Sequence, residues 1–218
     1  MTFVGQKVII SSDTVKGGYA HGKLEREFYI VDTLRIAREL IGCTLVSISG
    51  EGTTAGRIVE AEAYLGKADS AAHAFRGRVD GRTEVLYRQG GYAYVFLIYG
   101  MYSCFNVSTG PEGVPECVLI RALEPLEGIE LMRSRRGREK LTDLCSGPGK
   151  LCQAMGISRE QYGTDLTRDR LFILPKKPDD VPEIAATPRI NVEYAAEHKA
   201  MPWRFVDKNS RYLSVKLK

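Results

Sequence analysis

The chain has 218 residues, 44% of them hydrophobic, with a formal net charge of +4 and a pI of about 8.7. This length suits one domain, or one domain with an extension, and the hydrophobic fraction is ample for a single core. No apolar run approaches transmembrane length, which argues against a membrane partner, and the mild positive charge permits DNA binding without requiring it.

The cysteine content bears on cofactors and compartment. The five cysteines form no Cys-x-x-Cys pair and have too few histidines near them for a zinc site, so we expect buried free thiols, no metal and no cofactor. Free thiols without a signal-peptide pattern predict a reducing intracellular compartment, either the cytoplasm and nucleoid of a bacterium or the nucleus of a eukaryote. The cysteines are Cys43, Cys104, Cys117, Cys145 and Cys152.

The N-terminal part of the chain differs from the rest. Residues 1–23 have little core pattern and several glycines, which predicts an N-terminal arm before a domain that spans residues 24–218. Asp32 can cap a helix that runs to Ile41, with Gly42 as its stop.

Segment 57–64 is rich in β-branched and small residues and predicts a strand. Because residues two apart share one face of a strand, Glu60, Glu62 and Tyr64 should lie on one side, next to Ile58. Two interpretations stay open. The glutamates are either solvated on an exposed edge, or one of them is a general base beside an aromatic stacking partner.

In segment 92–108 the residues follow the period-two alternation of a strand on both sides of Gly100, which predicts a β-hairpin. Tyr99, Met101 and Tyr102 fall around its turn, where water should reach them. Large exposed side chains at a turn indicate either packing on a neighbouring loop or insertion into a partner, as in proteins that wedge apolar side chains between base pairs.

The remaining elements define the fold class. Stretch 66–91 is polar and long for a loop, which favours a functional role. A strand to Ala122 leads to a helix from about Leu126, and Pro148 begins another helix that Gly156 ends. Short strands are expected near 171–174, 189–193 and 211–217. Strands outnumber helices without forming βαβ units, so we predict an α+β fold: a single compact domain with an antiparallel sheet, a protruding aromatic β-hairpin and surrounding helices.

Two basic features have alternative interpretations. Arg133, Arg135 and Arg136 lie in a basic run at a helix end, which is favoured either by the helix dipole or by DNA phosphates. Segment 146–150, Ser-Gly-Pro-Gly-Lys, lacks the first glycine and the final Ser or Thr of a phosphate loop, so we reject nucleoside triphosphate binding. Lys150 would contact a DNA phosphate or belong to a structural helix cap.

Five segments form an ordered set of motifs: Arg-Ile-Val-Glu-Ala-Glu-Ala-Tyr-Leu-Gly at 57–66, Ala-Ala-His at 71–73, Tyr-Val-Phe-Leu-Ile-Tyr-Gly-Met-Tyr at 94–102, Cys-Val-Leu-Ile-Arg-Ala-Leu-Glu-Pro-Leu-Glu-Gly at 117–128 and Leu-Cys-Ser-Gly-Pro-Gly-Lys-Leu-Cys-Gln-Ala at 144–154. Together they resemble the alkyladenine (3-methyladenine) DNA glycosylase family over nearly the whole chain. The resemblance implies excision of alkylated or deaminated purines from duplex DNA by base flipping.

The resemblance also implies roles for individual residues. Glu62 would position and deprotonate the attacking water, and Arg121 would contact both the water and the glutamate. The backbone carbonyl of Ile190 would help to hold that water. Glu60 does not match the family's base, and we interpret it as structural.

The implied base pocket is aromatic. Tyr64, His73 and Phe96 match the slot that sandwiches the flipped base, although one well-known family member has tyrosine where Phe96 stands; phenylalanine retains the stacking face. Asn106 matches the residue at the pocket floor that rejects the 2-amino group of guanine. Leu119 would complete the pocket.

Tyr99 and Met101 are the residues expected to enter the duplex, where the tyrosine would fill the gap left by the flipped nucleotide. The predicted protein is therefore a monomeric, monofunctional DNA glycosylase of base excision repair that leaves an abasic site in double-stranded DNA. No lysine matches a nucleophile position, so no lyase step is expected. The alternatives are a non-catalytic lesion- or RNA-binding module on the same fold, and a small-molecule hydrolase.

Overall fold

An eight-stranded antiparallel sheet organises residues 22–217, which are the residues that the computed structural model describes. The strands are β1 (Thr44–Ser49), β2 (Gly52–Tyr64), β3 (Ala93–Ile98), β4 (Tyr102–Thr109), β5 (Glu116–Glu127), β6 (Leu171–Leu174), β7 (Ile184–Thr187) and β8 (Arg204–Asp207). Their hydrogen-bonded order is β3-β4-β5-β2-β1-β6, and β8 pairs with β2 and β7. Every pairing is antiparallel, which confirms the α+β class with an antiparallel sheet.

Within residues 22–217, five short α-helices accompany the sheet. They are α1 (Arg26–Tyr29), α2 (Thr33–Glu39), α3 (Ile129–Arg136), α4 (Leu141–Leu144) and α5 (Pro148–Met155), and one-turn 3₁₀ helices occur at Gly66–Ala68, Phe75–Gly77, Glu84–Tyr87, Arg159–Gln161 and Ala196–Ala200. No helix within residues 22–217 is both long and apolar enough to cross a bilayer.

The helix boundaries follow the predicted caps with two corrections. The Asp32 side chain accepts a hydrogen bond from the Arg35 amide, so the N-cap of α2 is confirmed, but the helix ends at Glu39 rather than Ile41. The helix expected from Leu126 begins at Ile129, because β5 continues to Glu127 and only then turns.

Two of the predicted C-terminal strands are wrong, whereas β6 is confirmed. Residues 189–193 cannot continue a strand because Asn191 has a left-handed backbone with φ of +59°. Residues 211–217 are also not a strand, since the Ser214 amide donates to the Glu60 side chain instead of joining a ladder. The strands of this region are β7 and β8.

Strand β2 is central because both of its edges are paired. β5 lies along one edge, while β1 pairs with residues 52–57 and β8 with residues 60–62 of the other edge. The sheet therefore branches and curls partway along β2. The main core lies on one face, where Ile58, Ile120 and Leu123 are fully buried with residues of α2 and α5. Each such side chain stabilises the fold by roughly 1.5–3 kcal/mol.

Besides a register shift between Ala55 and Gly56, two adjacent β-bulges interrupt the β2–β5 ladder. Ile58 lies opposite Leu123 and Glu60 opposite Ala122, so Val59 is an extra residue on β2. The next pair joins Ala61 to Ile120, which leaves Arg121 as an extra residue on β5. Bulges re-aim side chains and are common beside active sites.

The bulge corrects one expectation about β2. Ile58 belongs to the same core cluster as Ala61 and Ala63, not to the face that carries Glu60 and Glu62. The period of two is broken at Val59, so the strand presents its charged residues on the face opposite the core.

Strands β3 and β4 pair from Ala93 opposite Val107 to Ile98 opposite Tyr102. Tyr99 and Met101 lie in the connection and are 79% and 68% exposed. Insertion of these side chains into a partner stays a prediction.

The ends of the chain and the cysteines complete the description. The proposed arm lies outside the described residues up to residue 21, while Lys23 and Leu24 already hydrogen-bond to main-chain carbonyls of residues 168, 169 and 173. All five cysteines are buried and free, as expected, and burial raises the pKa of each thiol.

We predict that Gly128→Ala lowers the free energy of unfolding more than Gly137→Ala does. Both glycines have left-handed backbones, with φ of +69° and +58°, a region that costs an alanine about 1–2 kcal/mol. A Cβ at position 128 would also collide with the Thr53 carbonyl, whereas one at 137 meets nothing within 4 Å. Urea unfolding of both variants measures the difference, and equal losses would show that the contact at 128 relaxes without cost.

Candidate active site

A cavity of about 850 Å³ opens beside strands β2, β3, β4 and β5, a volume typical of small-molecule sites. It brings together most of the predicted site residues. The predicted residues that line the cavity are Tyr64, His73, Phe96, Tyr99, Asn106, Leu119, Arg121, Arg136, Lys150 and Ile190. Glu62 lies behind the lining, and Met101, Arg133 and Arg135 are not part of it.

The carboxylate of Glu62 is buried and held by three donors. The Ile190 amide donates to Oε1 at 2.7 Å, the Tyr64 hydroxyl donates to Oε2 at 2.9 Å, and Arg121 Nη1 donates to Oε2 at 3.3 Å. A carboxylate can accept about four hydrogen bonds, so this one retains capacity for one more donor, such as water. The interpretation of Glu60 and Glu62 as solvated on an exposed edge is wrong, since both are 0% exposed.

The loop that carries Ile190 is fixed by its neighbour Arg189. This guanidinium pairs with both carboxylate oxygens of Asp69, at 2.5 and 2.9 Å, and is stacked between the rings of Tyr64 and Trp203. A buried arginine with a bidentate partner has little freedom to move. The Ile190 amide is thereby aimed at Glu62; a role for its carbonyl, which the family resemblance implies, stays a prediction.

Arg121 lies between two carboxylates. Its Nε donates to Glu60 Oε1 at 3.0 Å, and its Nη1 donates to Glu62. Burial opposes the charge, but the two carboxylates raise the pKa of Arg121, so it remains a guanidinium. The bulge on β5 turns this side chain towards Glu60 and Glu62.

Aromatic rings form one wall of the cavity. The His73 and Phe96 rings meet edge to face with centroids 4.6 Å apart, and Tyr94 lies 5.2 Å from Phe96. Tyr64 also lines the cavity, on the strand that carries Glu62. Tyr94 was not among the predicted site residues, although its position two residues before Phe96 on a strand predicts the same face.

A hydrogen bond between Tyr94 and His73 bears on the tautomer of the His73 imidazole. The Tyr94 hydroxyl lies 2.7 Å from His73 Nδ1, and within residues 22–217 it has no other partner. Burial raises the pKa of Tyr94, so its hydroxyl keeps its proton. Since this hydroxyl has no other acceptor among residues 22–217, we assign it as the donor to Nδ1. The His73 side chain is exposed at the cavity. Even so, desolvation, followed by the nearby Arg82, lowers the pKa of His73 to about 4. The imidazole is therefore neutral, with its proton on Nε2.

Asn106 is buried and held rigidly. Its Nδ2 donates to the main-chain carbonyls of Tyr94 at 3.0 Å and Cys104 at 3.3 Å. Both amide protons are therefore used within the protein, and the side chain cannot rotate without breaking them. Asn106 therefore occupies a fixed position in the cavity lining.

The predicted phosphate-contacting arginines have protein partners. Arg133 pairs with Glu130, Arg135 with Glu51, and the Arg136 side chain donates to Gln153 and a main-chain carbonyl. Basic side chains also surround the cavity mouth, where Arg82, Arg138 and Lys150 have no ion pair within the described residues. Arg82 was not predicted as a site residue, although arginines recur throughout stretch 66–91, whereas Arg138 belongs to the predicted basic run.

Comparison with known proteins finds relatives over most of the chain. The model of the methylpurine-DNA glycosylase (MPG) family matches residues 27–211. A Clostridium novyi (strain NT) protein is 44% identical over 202 residues, which cover 89% of this chain and 99% of the relative. Proteins of Clostridium acetobutylicum and Methanocella arvoryzae are 47% and 48% identical over 88% of this chain, and over 98% and 95% of their own lengths. Each of the three is named "putative 3-methyladenine DNA glycosylase".

We predict that nitrogen NMR at neutral pH shows His73 as a neutral imidazole with its proton on Nε2. The Tyr94 hydroxyl stabilises this tautomer, so Tyr94→Phe should give mixed tautomers while the ring stays neutral. The chain has only three histidines, and the spectrum of a His73→Gln variant assigns the signal. A protonated His73 at pH 7, or a proton on Nδ1 in the unsubstituted protein, would contradict this description.

Proposed function

Because the chain belongs to the methylpurine-DNA glycosylase family, we propose that it flips damaged purines out of duplex DNA and hydrolyses their N-glycosidic bonds with a glutamate-activated water. Family membership makes the protein a 3-methyladenine DNA glycosylase, a hydrolase of N-glycosyl bonds that acts in the repair of alkylated purines. The steps within the site, and activity on deaminated purines, are our proposal.

The observation that carries the proposal is the buried Glu62 carboxylate with one acceptor position to spare. The water that fills this position would give its proton to Glu62 as its oxygen attacks C1′ of the sugar. The bond between C1′ and the purine nitrogen breaks, and the electron pair stays with the purine. An alkylated purine that carries a positive charge leaves as a neutral base. The product is an abasic site, and no lysine needs to form a covalent intermediate.

Arg121 and the Ile190 amide hold the general base, Glu62, in place during this step. A positioned general base contributes on the order of 10²–10⁴-fold to a rate. A non-catalytic lesion- or RNA-binding module would not require a buried carboxylate held by three donors, so the geometry favours catalysis over that alternative.

We place the flipped base between Tyr64 on one side and His73 with Phe96 on the other. All three line the same cavity, and stacking on aromatic rings contributes roughly 1–3 kcal/mol per base. Phe96 provides this face without a hydroxyl. Leu119 would contact the edge of the base from β5.

We assign insertion into the duplex to Tyr99 and Met101, at the tip of the hairpin formed by β3 and β4. Tyr99 has a left-handed backbone with φ of +53°, which is uncommon for a bulky residue, and it is 79% exposed. Such a side chain can fill the gap left by a flipped nucleotide and offset an unstacking cost of a few kcal/mol.

DNA phosphates would lie against the basic mouth of the cavity. Lys150 and Arg136, two of the residues proposed to contact phosphates, line the cavity, as do Arg82 and Arg138. Arg133 and Arg135 are better placed to stabilise the fold, because each is paired with a glutamate. The substrate would be double-stranded DNA with a damaged purine, bound by a monomer in the compartment that holds the genome.

We predict that Glu62→Gln slows excision by about 10²–10⁴-fold and leaves lesion-DNA affinity nearly unchanged, because glutamine cannot take the proton from water. Single-turnover cleavage of a hypoxanthine- or methyladenine-containing duplex after alkali treatment measures the rate, and a gel shift measures the affinity. The exposed Glu112 provides the control variant Glu112→Gln. Excision by Glu62→Gln within tenfold of the unsubstituted protein would show that Glu62 is not the base.

We predict that Asn106→Ser gains activity on normal guanine, most readily in mismatched pairs, where flipping costs less. The two main-chain carbonyls hold the asparagine amide rigidly, so exclusion is steric and a smaller residue relieves it. Hypoxanthine lacks the 2-amino group, and its excision should change little. Loss of hypoxanthine activity without a gain on guanine would show that Asn106 binds the substrate directly.

A further inference from the structure

Glu60 is fully buried next to the proposed base and accepts four hydrogen bonds. Its donors are Arg121 Nε at 3.0 Å, Arg204 Nε at 2.8 Å, the Ser214 amide at 2.6 Å and the Ser214 hydroxyl at 2.7 Å. Oε1 accepts three of these bonds and Oε2 accepts one, and of the donors only Arg121 lines the cavity, so Glu60 is held by groups on the side away from the cavity.

The contacts of Arg121 indicate what Glu60 does instead. The guanidinium gives its Nε to Glu60 at 3.0 Å, and only Nη1 reaches Glu62, at the longer distance of 3.3 Å. An arginine fork matches a carboxylate bidentately when nothing prevents it. Glu60 holds the fork in a position where a bidentate pair with Glu62 is not formed, which leaves part of the Glu62 carboxylate available for water.

The C-terminal segment contacts both Arg121 and Arg204. The Ser214 hydroxyl accepts from Arg121 Nη2 at 3.3 Å, and Arg204 Nη2 donates to the Val215 carbonyl. Arg204 and Ser214 therefore both hold Glu60, and Ser214 also contacts Arg121. Residues more than 150 positions apart in the sequence meet at one guanidinium.

We propose that Glu60 is a positioning residue for hydrolysis, that it acts through Arg121, and that Ser214 keeps it in place. The proposal rests on the proposed function, in which Glu62 activates the water. Removal of the Glu60 charge frees Arg121 to pair bidentately with Glu62, and that pair competes with the water. The loss falls on the chemical step, since Glu60 does not line the cavity and touches no part of the proposed DNA surface.

The test compares Glu60→Gln with Asp207→Asn, which removes a buried partner of Arg57 outside the Arg121 network and controls for the loss of a buried ion pair. Single-turnover excision of hypoxanthine from a duplex and gel-shift affinity are measured for both, with thermal unfolding as a check on folding. We expect Glu60→Gln to lose up to about 10²-fold in excision rate, as misplaced catalytic groups do, with little loss of affinity. Asp207→Asn should retain the rate.

A double-mutant cycle separates positioning from general destabilisation. In an Arg121→Gln background, Glu60→Gln should cost little further rate, because two residues that act as one unit are not additive. Ser214→Ala should cost less than Glu60→Gln, since the backbone amide still donates to Glu60. If Glu60→Gln does not fold, the same cycle is run with Ser214→Ala.

Additive losses in the cycle, or equal losses for Glu60→Gln and Asp207→Asn, would overturn the positioning role. These outcomes differ from failure of the proposed function, which appears as an active Glu62→Gln protein. A normal rate in both Glu60→Gln and Ser214→Ala, together with an inactive Glu62→Gln, rejects the further inference and retains the proposed function.

Discussion

Four charges buried at the middle of the sheet, on Glu60, Glu62, Arg121 and Arg204, constrain the rest of the structure. Each would be strongly unfavourable alone in a protein interior, so each must find its partners there. The two carboxylates and two guanidiniums balance, and their hydrogen bonds draw together β2, β5, β8 and the C-terminal segment. The adjacent bulges on β2 and β5 make this possible, because they turn charged side chains away from the apolar core.

The cavity follows from this arrangement. Arg189 is held by Asp69 and stacked on Tyr64, so the loop after β7 is anchored to the same strand that carries Glu62. The aromatic wall on β3 is built separately, from ring contacts and the bond between Tyr94 and His73. A rigid charged cluster and an aromatic wall thus meet at one opening, the arrangement by which we propose that the protein holds a flipped base and hydrolyses its glycosidic bond.

The arginines divide into two groups with different physical roles. Those at the C-terminal end of α3, Arg135 and Arg136, donate to main-chain carbonyls and to acidic or amide side chains of neighbouring elements. Arg82 and Arg138 remain at the cavity mouth, where a polyanion can reach them. Charge density along the sequence did not distinguish these groups, because the distinction depends on which acceptors the folded chain places within reach.

The sequence by itself determined the family, the antiparallel α+β class, the cap of α2 by Asp32 and several of the residues that line the cavity, because these depend on local pattern and on long ordered motifs. Tertiary structure alone decided that Ile58 faces the core, that segments 189–193 and 211–217 are not strands, and that Ser214 reaches Glu60. A bulge changes the facing of every later residue on its strand, and a buried charge is satisfied by whichever donor the fold brings to it. Neither effect leaves a periodic trace in the sequence.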